Sequence, residues 1–118
     1  MEFVMESPQG FISSYEGPEP SRAQTDQLPG PVVLEFGTPW CAYCLDAQDA
    51  IAAAFSGYPH VRHLKVEDGS GRPLGRSYAI KLWPTLVFLR DGVEIARLVR
   101  PGDASDIVQK LQLIDAKG

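Results

Sequence analysis

Trp40-Cys41-Ala42-Tyr43-Cys44 holds the only two cysteines of this 118-residue chain, placed between an apolar run and an alanine-rich helical stretch. A helix beginning near Cys41 puts positions i and i+3 on one face, so the two sulfurs can close on each other without unfolding anything. Cys41 then sits at the helix's amino end, where unpaired N–H groups and the positive end of the macrodipole favour thiolate over thiol. The thiolate is the attacking species in disulfide exchange. The expectation is a partly exposed, acidified Cys41 that attacks a substrate disulfide, and a shielded Cys44 that displaces the reduced product. That is redox catalysis without a cofactor.

Two other uses of the pair are open to such a spacing. With His60 and His63 the cysteines read C-x2-C-x15-H-x2-H, a zinc-like series whose His-x2-His step is shorter than the usual three to five. Strand alternation sends His63 to the side of Val61 and Lys65 but gives no reason for His60 to join it. A structural disulfide is disfavoured where no export signal is read.

The composition is that of a soluble globule, 44% hydrophobic and 22% charged with a net charge of -4. An acidic balance gives no electrostatic ground for nucleic acid or an anionic membrane as partner. The start Met1-Glu2-Phe3-Val4-Met5-Glu6 lacks a basic stretch and a long apolar run, and no segment approaches membrane-spanning length. The expectation is a cytoplasmic monomer of one domain, residues 1–118.

Turn residues divide the chain. Residues 2–5 suit a short strand and 7–15 a short helix; 21–28 read as a loop or a poor helix. After Pro29-Gly30-Pro31, residues 32–36 read as a buried strand, and 41–55 as a helix with Leu45, Gln48, Ile51, Ala52 and Phe55 at helical spacing. A strand at 61–66 leads through a glycine-rich connection, 68–75, to a short helical piece near Ser77 and Tyr78. Residues 85–89 and 93–99 form a hairpin turned by Arg90-Asp91-Gly92, and Asp103 caps a helix at 104–114 with Ile107, Val108, Leu111 and Ile114 on one face. Strands alternating with helices, then a hairpin and a closing helix, predict an α/β fold: a central mixed sheet flanked by helices on both faces.

From Val32 onward the chain resembles the thioredoxin family in three places: the apolar strand with Glu35 six residues before the first cysteine, the Trp-Cys-x-x-Cys segment, and Trp83-Pro84-Thr85 followed by an apolar strand and an Asp-Gly turn. The interval from Lys65 to Pro84 also matches that family without a gap. The resemblance covers roughly residues 32–114, with 1–31 matched loosely. It implies the thioredoxin fold and a thiol-disulfide oxidoreductase that reduces protein disulfides, reduced in turn by an electron donor such as a thioredoxin reductase. Glutaredoxin-like or isomerase-like activity, or a noncatalytic binding module with redox-sensing cysteines, are the alternatives.

Residue by residue, the resemblance implies that Cys41 is the nucleophile and Cys44 the resolving cysteine. Glu35 matches the family's buried acid, usually aspartate, which moves the resolving cysteine's proton; Lys65 matches the lysine beside it. Pro84 matches the cis-proline next to the cysteines, which leaves the preceding backbone open to a substrate peptide. Trp40, Ala42, Tyr43 and Trp83 would form an apolar contact rim. The chain departs from the pattern in several places: Ala42-Tyr43 stands for Gly-Pro, and Leu45 for a basic residue. No proline kinks the helix, Trp83 replaces an aliphatic residue, and Arg100-Pro101 lies where a glycine is common. At Arg100 the expectation is a positive charge that favours substrates with acidic residues near their disulfide.

Overall fold

β1 (Pro31–Gly37) runs through the middle of the sheet because it has no face to show to water: Val32, Val33, Leu34 and Phe36 are all fully buried. Such a strand needs neighbours on both edges. It pairs in parallel with β2 (Arg62–Glu67) and antiparallel with β3 (Thr85–Arg90), which pairs antiparallel with β4 (Val93–Val99). The order is β2-β1-β3-β4. This computed structural model describes Tyr15 and residues 18–115, so the strand expected at 2–5 lies outside the described residues, as does the helix at 7–15 apart from Tyr15.

Strand alternation divides the core in two. Val33, Leu86 and Phe88 face α2 (Ala42–Phe55) and α4 (Ala104–Ile114), against Ile51, Phe55, Ile107, Leu111 and Ile114. On the opposite face Val32, Leu34, Phe36, Val87 and Leu89 meet Leu28, Leu74 and Tyr78, carried on or beside α1 (Arg22–Asp26) and α3 (Pro73–Ser77). Each fully buried side chain of this size contributes about 1.5–3 kcal/mol. The chain has the mixed sheet with helices on both faces that its sequence leads one to expect.

Three local differences have physical causes. Residues 21–28 include a true short helix, α1, because Ser21 Oγ accepts from the Gln24 N–H at 3.1 Å while Gln24 Oε1 accepts from the Ser21 N–H at 2.8 Å, a reciprocal capping box. α3 begins earlier than expected, with Pro73 preset for its first turn, and ends before Tyr78. The inward face of α2 is rotated from the expected stripe: Cys44, Ala47, Ile51, Ala54 and Phe55 are buried, whereas Leu45 is 59% exposed. Small Ala47 and Ala54 let the helix lie close to its neighbours, which leaves Leu45 beyond the contact.

The β3–β4 hairpin turns on Asp91 and Gly92, both with positive φ (51° and 82°), the pairing a tight twisted turn requires. A Cβ on Gly92 would also run into the backbone of Asp26. Gly92→Ala is therefore expected to lower the urea unfolding midpoint, costing roughly 2 kcal/mol or more. Gly57 has neither restriction, since an added Cβ would meet nothing within 4 Å; Gly57→Ala should be neutral or stabilise by about 0.4–1 kcal/mol. Equal midpoints for the two variants would contradict this account of the turn.

Candidate active site

Cys41 is the N-cap of α2, and its sulfur accepts a hydrogen bond from the Cys44 N–H at 3.2 Å. That N–H is among those a helix start leaves without a carbonyl partner, so the sulfur sits where the helix end receives negative charge best. Both cysteines are free thiols and both are buried, Cys41 at 7% exposure and Cys44 at 2%. The expected partial exposure of Cys41 is thus reduced to a narrow opening, because the sulfur folds back onto the first helical turn. Burial pushes the Cys44 thiol up to about 12, with a hydrogen bond to the Cys41 sulfur and the charges of Cys41 and Glu35 acting the same way against a backbone hydrogen bond from Thr38.

Beneath the sulfurs lies a buried polar network. Glu35 has no exposed surface, and its position on β1 puts it on the α2 side of the sheet with Val33. Its Oε1 is 2.7 Å from His63 Nε2, and its Oε2 accepts from Gln48 Nε2 at 2.9 Å. Lys65 Nζ lies 3.8 Å from Oε2 and donates to Gln48 Oε1 at 3.0 Å. Gln48 also donates to the Cys44 carbonyl at 2.9 Å, tying the carboxylate to the helix that carries the cysteines. A cleft of about 370 Å³, lined in part by Thr38, Cys44, Gln48 and Lys65, opens onto this edge of the network. Tyr15 lines it too; burial foremost, then the charge of Glu35, raises the phenol's pKa above its ordinary value.

Around the thiols the rim is apolar and partly locked. Trp40 is 71% exposed and meets Trp83 edge to face at a centroid distance of 5.7 Å; Ala42 and Tyr43 are exposed as well. Trp83 is half-buried, its indole N–H donating to Asp68 Oδ2 at 2.9 Å, and the Trp83-Pro84 peptide bond is cis with Pro84 buried. Arg100, expected to bring a positive charge to the rim, is exposed there and held by two neighbours. Its guanidinium stacks 3.8 Å over the Tyr43 ring and its Nε donates to the Trp83 carbonyl at 2.9 Å. Its backbone φ is +51°, in the region that favours glycine.

All the residues singled out in the sequence thus gather at one end of the sheet, while the histidines separate. His60 Nε2 lies near the surface, 3.1 Å from Asp115, and His63 faces Glu35, so the zinc-like series does not assemble. Sequence reasoning missed His63, Gln48 and Asp68 as members of the site. A signal existed for Gln48, a polar residue on the inward ridge of α2, and for His63, two residues before Lys65 on the same strand face.

The thioredoxin family model matches residues 22–113. This chain belongs to the thioredoxin family. It is 51% identical to the structure of thioredoxin 2 from Pseudomonas aeruginosa in its reduced form, over 97% of this chain and 100% of that one, with a TM-score of 0.75. It is 33% identical to thioredoxin of Chlamydia trachomatis over 81 residues, 68% of this chain and 78% of that protein. Similarity also extends to mouse glutaredoxin-3, 27% over 69% of this chain but only 24% of that protein. As a thioredoxin-family member the chain is a thiol-disulfide oxidoreductase acting as a disulfide reductase. In the reduced protein at neutral pH, iodoacetamide is expected to alkylate Cys41 at least about a hundredfold faster than Cys44, whose thiol burial holds protonated. Peptide fragmentation by mass spectrometry reads the two sites separately, and comparable labelling of both would contradict the assignment of a locked Cys44.

Proposed function

We propose that Cys41 attacks the substrate disulfide and that Cys44 resolves the product, with Glu35 as the base for the Cys44 proton and Lys65 as the cation beside it. The observation that carries this reading is the asymmetry of the pair. Cys44 keeps its proton until about pH 12 for lack of solvent, while Cys41 caps the helix start and retains the larger opening. A thiol so held is inert until a neighbouring base accepts its proton, and the buried carboxylate tied to Cys44 through Gln48 is such a base.

The electrons balance over two exchanges. The Cys41 thiolate forms a bond to one substrate sulfur, and the other leaves as thiolate. Cys44 then gives its proton to Glu35 and its sulfur attacks Cys41, forming the internal disulfide and releasing the second substrate sulfur as thiolate. Two electrons have passed to the substrate. An external dithiol donor such as a thioredoxin reductase restores the pair.

The substrates are protein disulfides, bound at the rim of Trp40, Ala42, Tyr43, Trp83, Pro84 and Arg100. This is supported by the exposed aromatic faces of Trp40 and Tyr43 beside the thiols. The protein works as a cytoplasmic monomer. A chain whose only two cysteines are its redox pair keeps none for a structural disulfide, which suits a reducing compartment.

Cys44→Ser is expected to accumulate mixed disulfides with a disulfide-bonded peptide such as insulin, because the attacked intermediate cannot be resolved. Cys41→Ser should abolish turnover and form none. A binding module with sensing cysteines would accumulate no such adducts, and their absence from Cys44→Ser would overturn the assignment.

A further inference from the structure

His63 has no part in the reaction as derived so far, yet it is fully buried and touches the base directly. Its ring stacks on Phe55 at 4.7 Å and 22°, and its Nε2 is 2.7 Å from Glu35 Oε1. An imidazole used only for packing carries a desolvation cost that an apolar side chain at the same place would avoid. The contact is short enough for a charge-assisted hydrogen bond. A carboxylate can only accept, so with Glu35 ionised it is Nε2 that carries the hydrogen. The parallel register pairs Val33 with His63 and Glu35 with Lys65, which sets both β2 side chains against the same carboxyl group.

We propose that His63 is the positioning residue of Glu35: its Nε2–H holds Oε1 in a site closed to water and turns Oε2 toward Gln48 and the Cys44 side. The proposal rests on Glu35 acting as the base for Cys44. The polar or titratable groups facing this pair include Lys65 from β2, Gln48 and Cys44 from α2, and Tyr15 across the Lys65 ammonium. Lys65 offers charge at 3.8 Å but no direct hydrogen bond to the carboxylate, and Gln48 is neutral. His63 is therefore the donor whose removal takes the 2.7 Å hydrogen bond from Oε1. Loss of a donor to a buried carboxylate favours its neutral, protonated form. Without His63, Oε1 loses its 2.7 Å donor and the base is less ready to accept the Cys44 proton.

Stopped-flow reaction of the reduced protein with less than one equivalent of Ellman's reagent separates the two steps. The first release of thionitrobenzoate reports Cys41 attack, and the second reports resolution by Cys44. His63→Leu should leave the first phase unchanged and slow the second about tenfold at neutral pH, with the rate recovering as pH rises. His63→Gln, which keeps an N–H donor, should stay close to the parent. Glu35→Gln serves as the control for the base itself. A parental second phase and pH profile in His63→Leu, while Glu35→Gln is slow, would overturn the proposal alone; parental kinetics in Glu35→Gln would overturn the base assignment beneath it. Equal slowing of both phases at every pH would mark His63 as merely structural. In the parent protein, imidazole ¹⁵N shifts should place a hydrogen on Nε2 from about pH 6 to 8, and a bare Nε2 there would equally contradict the proposal.

Discussion

A carboxylate with no exposed surface in the central strand of the sheet is the constraint on which the rest depends. Burying Glu35 unmatched would cost several kcal/mol, and its partners are three side chains from two elements: His63 and Lys65 on β2 and Gln48 on α2. A slip of one residue between β1 and β2 would send both β2 side chains to the other face and leave the carboxylate stranded. The rotation of α2 is tied to the same demand. With Gln48 turned down to Glu35, one helical turn earlier it is Cys44 that faces inward, and Leu45 is left at the cleft edge.

One negative charge therefore serves the sulfurs in two opposed ways. At rest it helps burial hold the Cys44 proton in place, so the resolving thiol does not compete with Cys41 for substrate. During turnover the same carboxylate is the place that proton can go. The difference between the two cysteines arises largely from position: one caps the helix start, the other lies a turn deeper over the network. At the rim, Arg100 is held by the Tyr43 ring and the Trp83 carbonyl, so its charge lies along the contact surface rather than projecting from it.

Much of this was legible in the chain. Apolar residues on both sides of Glu35 marked β1, the Asp-Gly turn marked the hairpin, Asp103 marked the start of α4, and the cysteine spacing marked the site. Pairing was not legible. Alternation placed His63 on the same side as Lys65, but only the register of β2 against β1 brings either to Glu35. The α2 stripe misled because Leu45 looked like core while alanines formed the true contact. The stack of Arg100 on Tyr43 was not legible, because it depends on the turn after β4, and φ of +51° there is a property of the folded backbone alone.

The most direct test of Glu35 as the base beside Cys44 is to titrate the Cys44 thiol, through its ¹³Cβ resonance, in the parent and in Glu35→Gln. Removing the charge takes away one of the influences that hold the thiol near 12, so its pKa should fall in the variant even as resolution of the mixed disulfide slows. A more acidic Cys44 that nevertheless resolves more slowly is the signature of a lost base. An unchanged Cys44 titration with unchanged resolution would contradict the central role given to Glu35.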